Sequence, residues 1–159
     1  MLAEEFRTGL GVDVHPFDST RTLVLGGVVI PDYDGLKGHS DADVVSHCVI
    51  DALLGAACLG DIGEHFPDND PDFRDADSIS LLRSIVEKVN KIGWRCVNCD
   101  LTIICEVPKI APYKGSIKSR LEDLLSAPVN VKATTMEGLG AIGRGEGIMC
   151  WASILISRN

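Results

Sequence analysis

The sequence predicts an α/β (α+β) fold: one domain over residues 1–159, with a mixed β-sheet covered by helices on one face. Three observations point there. Strand-like and helix-periodic segments follow one another roughly in the order ββααβαββ, with no internal repeat and no linker. Apolar residues make up 45% of the 159, enough for one packed core. Every apolar run is too short to cross a membrane. A sheet covered on one side only needs something against its other face, so a second copy of the chain is expected there.

Residues 5–14 and 21–30 read as strands, the second being "RTLVLGGVVI". Residues 41–59 read as a helix: Ser40 and Asp43 resemble a capping box at its start, and Gly60 stops it. Residues 78–91 form a second helix, with Asp77 as cap and Gly93 past its end. A strand over 95–105 follows, then a helix over 113–126 with Pro112 near its start. Residues 129–134 and 147–157 complete the sheet.

The formal net charge is −8, which excludes a nucleic-acid binder lacking any basic footprint. An anionic substrate is still open to such a chain, provided metal ions or a few placed Lys and Arg meet it. "MLAEEFRTG" has neither the pattern of a signal peptide nor that of a transit peptide, so a cytoplasmic location is expected. The six Cys sit in apolar segments and read as reduced core thiols. "CVNC" (Cys96 to Cys99) has no second pair, and in a regular strand its thiols would face opposite sides. "GLGAIG" (Gly138 to Gly143) matches the dinucleotide fingerprint in letters only, since a strand-like segment follows it where a helix should.

The chemistry gathers at a few places. In "GVDVHPF", Asp13 and His15 are two residues apart and therefore share one strand face. Asp43, His47 and Asp51 share one face of the first helix. Asp13, His15 and His47 make three ligands with a fourth position open, as in a catalytic zinc site, with Asp51 or Asp43 orienting His47. A core histidine beside an ion pair is the competing reading. His39 and Ser40 stand at the expected start of the first helix, where N–H groups suit a phosphate; a plain cap is the alternative. "KATTMEGLGAIGRGEG" offers Thr134, Thr135, Glu137 and Arg144, a set suited to phosphate plus magnesium, or only a polar turn. "GDIGEHFPDNDPDF" is an acidic loop, and its His65 has no partner at ligand spacing. No Ser/His/Asp or Cys/His nucleophile set is present.

Together, "DVHPF", "GHSDADVVSHCVIDALLGAACLGDIGEHFPDNDP" and "NVKATTMEGLGAIGRGEGI" resemble the 2-C-methyl-D-erythritol 2,4-cyclodiphosphate synthases of non-mevalonate isoprenoid biosynthesis, in order and over almost the whole chain. The resemblance implies a homotrimer with active sites between subunits. Its substrate is a CDP-linked methylerythritol whose 2-phosphate attacks the β-phosphorus and releases CMP. It implies zinc, or a similar cation, on Asp13, His15 and His47, with the substrate beside Asp13 and His15. A second ion, magnesium or manganese, falls to Glu137. His39 and Thr135 match the residues that steady the transition state. Ser40, Asp61, Ile62 and Gly63, with Phe66, Pro67, Asp68, Asn69 and Asp70, match the methylerythritol-phosphate contacts. Cys105, Pro108, Lys109 and Ala111, with Ala133 and Thr134, match the cytidine pocket. Arg144 matches a phosphate or central-cavity arginine. One departure stands out: Ala141 replaces the aromatic that lines an axial cavity reported to hold isoprenoid diphosphates, and this bears on that ligand, not on catalysis. A metal-dependent phosphohydrolase and a non-catalytic isoprenoid-diphosphate-binding trimer are the competing functions.

Overall fold

The computed structural model describes residues 4–67, 70 and 76–159. Among these residues, five strands form one sheet: β1 (Glu5–Leu25), β2 (Val28–Leu36), β3 (Arg95–Ile104), β4 (Val129–Thr134) and β5 (Gly147–Arg158), in the order β2-β1-β5-β3-β4. The β3–β4 pair is parallel and the other pairs are antiparallel, so the sheet is mixed as expected. The helices are α1 (Val44–Ala57), α2 (Ile62–His65), α3 (Ser78–Lys91), α4 (Lys114–Leu125) and α5 (Gly140–Gly143). None of them is long and apolar enough to cross a membrane.

The first two strands differ from their expected limits. β1 runs unbroken to Leu25, and "RTLVLGGVVI" is split between it and β2. Gly26 and Gly27 both have positive φ (57° and 72°), as a two-residue hairpin turn requires. β1 pairs with β5 over Glu5 to Pro16 and with β2 over Phe17 to Leu25, with register shifts near Thr22. It thus ties the hairpin to the central sheet.

The inward face of β1 carries Gly9 and Gly11 instead of large side chains. A Cβ on Gly11 would fall on the Cys48 carbonyl oxygen, and one on Gly9 on that of Ala52. On α1 the facing residues are Cys48, Ala52 and Ala56, a small-residue stripe at helical spacing. The helix therefore rests directly on the strand backbone. That contact sets the height of His47 above Asp13 and His15.

The opposite face of β1 is apolar and open: Phe6, Leu10, Val12 and Val14 are exposed, with Trp151 of β5 beside them, Leu10 to 62%. β5 alternates cleanly, with Ile148, Cys150, Ala152, Ile154 and Ile156 buried toward the helices. At the end of the sheet, the Arg7 and Arg158 guanidiniums lie 4.7 and 4.5 Å from the buried Trp94 ring, and Glu5 pairs with both.

Two local expectations are corrected. The first helix begins at Val44, not residue 41, because Ala42 takes a positive φ (56°) that breaks a helical run. Asp43 is its cap and is fully buried, accepting from Val45, Ser46, Gly26 and Gly27 N–H and from the Ser46 hydroxyl. Burial pushes the Asp43 carboxyl upward, opposed by these bonds. In β3 the pairing skips a residue between Cys96 and Asn98, a bulge that turns Cys96 to the core side with Cys99 instead of the opposite side. Burial pushes the Cys96 thiol up to about 11 and Cys99 higher still, leaving both poor thiolates.

Candidate active site

Asp13 and His15 leave β1 on the same face, and His47 descends from the first turn of α1 between them. The Asp13 Oδ2 lies 3.0 Å from His15 Nε2 and 3.2 Å from His47 Nδ1, and the two nitrogens are 3.3 Å apart. Two ligand atoms at about 2.05 Å from a tetrahedral cation lie roughly 3.3 Å from each other. The triangle has close to that size, and a nitrogen, nitrogen and oxygen donor set suits a divalent cation of this type. It is the one such cluster among the described residues. The side chains are 23, 19 and 12% exposed, so the group is sheltered but reachable.

Electrostatics within the triad are strong. Burial alone would raise the Asp13 carboxyl, but bonds to His15 and His47 outweigh it and hold it well below the carboxylate range. Burial alone would lower His15, yet the Asp13 carboxylate and the Lys37 carbonyl hold it above the usual histidine value. His15 Nδ1 donates to the Lys37 carbonyl at 2.8 Å, which turns Nε2 to the triad.

The orienting partner of His47 differs from expectation. Asp43 and Asp51 do not reach it: Asp43 caps α1, and Asp51 Oδ1 accepts from the Ile62 N–H at 2.8 Å. Instead the His47 Nε2 lies 3.0 Å from the Ser40 hydroxyl and 2.9 Å from that of Ser78. Ser78, Asp41, Lys37 and Leu81 were not singled out from the sequence. Ser78 opens α3, far along the chain, and only its position after the cap Asp77 marked it at all. The helix start expected near His39 and Ser40 is corrected too. The helix begins four residues after Ser40, and the Val45 and Ser46 N–H groups go to Asp43.

All three triad residues line a cavity of about 290 Å³, together with His39, Ser40, Ile62, Gly63, Phe66, Pro67 and Asp70. Lys37, Gly38 and Leu81 complete its lining. Asp61, which precedes the lining residue Ile62, is the cap of α2, accepting from Glu64 N–H at 3.1 Å. This short helix lies within a stretch expected to be loop; the two carboxylates of Asp51 and Asp61 hold its first turn. Asp68 and Asn69 lie outside the described residues. His65 is directed elsewhere, to the Leu59 carbonyl at 2.8 Å and to Lys88 at 3.1 Å.

The remaining predicted residues form a second group that does not line this cavity. Cys105 to Ala111 follow the carboxyl end of β3, and Ala133 to Thr135 lie at the carboxyl end of its parallel partner β4, a common place for a nucleotide. Cys105 N–H donates to the Thr134 carbonyl, and Met136 N–H to Glu106, which ties the two segments together. The Cys105 thiol is buried and pushed up to about 11. Glu137 has a left-handed φ of 53° and accepts from the Thr135 hydroxyl at 2.9 Å. Pro108 is buried, Lys109, Ala111 and Ala141 are exposed, and Arg144 pairs with Glu146 at 2.6 Å.

The sequence profile of the YgbB family matches residues 6–157. The chain belongs to the YgbB family. Among curated proteins, a 2-C-methyl-D-erythritol 2,4-cyclodiphosphate synthase of Bordetella petrii is 53% identical over 156 residues, covering 96% of each chain. Among solved structures, the bifunctional IspDF of Campylobacter jejuni matches with a TM-score of 0.94 and 43% identity over 99% of this chain, which spans 43% of that longer one. The IspF of Plasmodium falciparum, solved as a CDP complex, matches with a TM-score of 0.83 and 34% identity over 97% of each chain. The triad and cavity described above thus lie inside the region shared with the YgbB family.

Proposed function

We propose that the chain catalyses the reaction for which its curated relatives are named: formation of 2-C-methyl-D-erythritol 2,4-cyclodiphosphate in isoprenoid biosynthesis, as a phosphorus–oxygen lyase. The observation that carries this is the Asp13–His15–His47 triangle opening onto one cavity, in a chain 53% identical to such a synthase. The substrate is the CDP-linked methylerythritol bearing a 2-phosphate, handled by residues 1–159 as one synthase-like domain in the cytoplasm. An oxygen of the 2-phosphate forms a bond to the β-phosphorus. The bond from that phosphorus to the oxygen bridging to the α-phosphate breaks, and its electron pair leaves with CMP.

Asp13, His15 and His47 would hold zinc, which when bound supplies a Lewis acid beside the β-phosphate. Glu137, exposed and hydrogen-bonded by Thr135, would hold magnesium or manganese with the diphosphate oxygens. His39 and Thr135 steady the charge that builds up on the phosphoryl oxygens. Ser40, Asp61 to Gly63 and Phe66 to Asp70 hold the methylerythritol phosphate. Cys105 to Ala111, with Ala133 and Thr134, receive the cytidine. The chain's own contribution is mainly to bend the substrate so that its two ends meet, which makes the attack intramolecular.

The division of these residues into two groups supports a site completed between subunits of a homotrimer. The exposed apolar stripe of Phe6, Leu10, Val12, Val14 and Trp151 supports burial of that sheet face in the assembly. Arg144 and Ala141 would then face the shared axis, with any isoprenoid diphosphate held loosely for want of an aromatic at 141. Phosphorus NMR of the product mixture tests the activity. CMP and the cyclic diphosphate in equal amounts are expected; a linear diphosphate as main product would make the protein a phosphohydrolase.

A further inference from the structure

The His47 ligand is backed by a chain of groups that reaches a carboxylate. Ser78 is buried, and its Oγ lies 2.9 Å from His47 Nε2 and in a very short contact with Asp41 Oδ1. The other Asp41 oxygen accepts from the Ser78 N–H at 3.1 Å, and Oδ1 accepts from the Asp43 N–H at 3.1 Å. The Asp41 N–H in turn donates to the Ala76 carbonyl. Asp41 is thereby fixed against the start of α3 from both sides.

The direction of the chain follows from counting protons. A serine hydroxyl has one proton to give, and a carboxylate can only accept. The Ser78 proton therefore goes to Asp41, and what Ser78 presents to His47 is a lone pair. His47 Nε2 must then carry the hydrogen, which leaves the Nδ1 lone pair for the triad. Carboxylates commonly do this for a metal-bound histidine by direct contact. Ser40 also reaches Nε2, at 3.0 Å, and its Oγ lies 3.3 Å from that of Ser78, but it touches no carboxylate directly and it lines the cavity.

We propose that Asp41, acting through the Ser78 hydroxyl, is a positioning residue that presets the tautomer of His47 and strengthens it as a metal ligand, leaving the Ser40 hydroxyl to turn toward substrate. This rests on the reading of the triad as a metal site. The two serines then have separate duties, one toward the metal and one toward the phosphate.

The test is zinc affinity of the full chain by competition with a chromophoric chelator. Ser78→Ala is expected to weaken zinc by about 10–100-fold, the usual cost of losing such a partner. Ser78→Thr, which keeps the hydroxyl, is expected to stay near wild type. Asp41→Asn keeps the side chain's shape and is expected to lose affinity like Ser78→Ala. The double variant should lose no more than either single one, because both cut the same chain. The thermal midpoint of each metal-free variant separates this from simple misfolding, and if Ser78→Ala fails to fold, Asp41→Asn carries the test. Cobalt in place of zinc adds a spectroscopic readout: its visible bands should shift in Ser78→Ala and Asp41→Asn but not in Ser78→Thr. Wild-type affinity in Asp41→Asn, equal losses in Ser78→Thr and Ser78→Ala, or losses that multiply in the double variant would overturn the proposal. A wild-type chain that takes up no zinc would instead defeat the reading of the triad itself.

Discussion

The two halves of the candidate site are built by opposite means. Asp13, His15 and His47 stand on a strand and a helix whose backbones touch, each side chain held by a second partner and largely sheltered. Thr134, Thr135, Glu137 and Ala141 stand on an exposed segment that begins at the last residue of β4, and Glu137 is held in a left-handed conformation that costs a side chain energy. The first half is complete within one chain. The second has its backbone fixed but no cover, and its residues do not line the cavity of the first. A metal triad must keep its ligand atoms within tenths of an ångström, so close packing serves it. A nucleotide-binding loop can receive its opposite wall from a neighbouring subunit.

The most severe way to break this contrast is Gly11→Ala. Its Cβ would meet the Cys48 carbonyl, so α1 must lift from β1, at a cost of about 3 kcal/mol. Chemical denaturation should show that loss, and zinc content should fall with it. Next in size is His47→Ala, which should fold but retain almost no zinc by metal analysis, because two ligands remain where three are needed. Glu137→Gln probes the other half. Its zinc content and denaturation midpoint should match wild type while CMP release falls about 100-fold, partly restored by raised magnesium or manganese. Ala141→Phe should act more weakly still. Binding of geranyl diphosphate to the assembled protein should tighten roughly tenfold through the apolar contact regained, with turnover unchanged.

The smallest expected effect is that of pH on the metal half, and its sign reverses with metal. His15 is held above its ordinary value of about 6.5, so without metal its contribution to stability is complete below that pH and is lost as pH rises through the raised value. Asp13 is depressed, so its contribution is present above about 3.9 and is lost only well into acid. The chelator-treated protein should therefore have its highest thermal midpoint between these limits and lose some toward pH 8. With zinc, His15 must shed its proton to bind, so the midpoint should instead rise across the same interval.

Much of this was legible in residues close together in sequence. The i, i+2 spacing of Asp13 and His15 fixes their common face, and the start and end of α3 follow from Asp77 and Gly93. The long motifs that resemble the synthases contain the three triad residues and seven others of the cavity lining, His39, Ser40, Ile62, Gly63, Phe66, Pro67 and Asp70, but not Lys37, Gly38 or Leu81 as site residues. What was not legible depends on contacts between distant segments or on single φ values. The true start of α1 turns on Ala42, whose left-handed conformation no propensity suggests. The bulge at Cys96 is set by pairing with β5, some 60 residues on, and reverses the side its thiol faces. Ser78 reaches His47 only because α3 packs on α1, so the local pattern pointed to Asp51 or Asp43, which instead hold the start of α2 and cap α1. Strand limits were blurred because an apolar run crossing Gly26–Gly27 reads as one element when the turn residues are apolar on both sides.

The central claim is that the two halves meet across a subunit interface, and mixing two inactive variants tests it most directly. His47→Ala lacks the metal half and Glu137→Gln lacks the loop half, but each retains the other half intact. Each should form the trimer by light scattering and release little CMP alone. When the two are unfolded together, refolded and supplied with zinc and magnesium, mixed trimers should contain sites with a wild-type His47 from one subunit and a wild-type Glu137 from the next. The account predicts that CMP release returns to a substantial fraction of the wild-type rate. If the mixed trimers form and stay as inactive as their parents, each site lies within a single chain and the account is wrong.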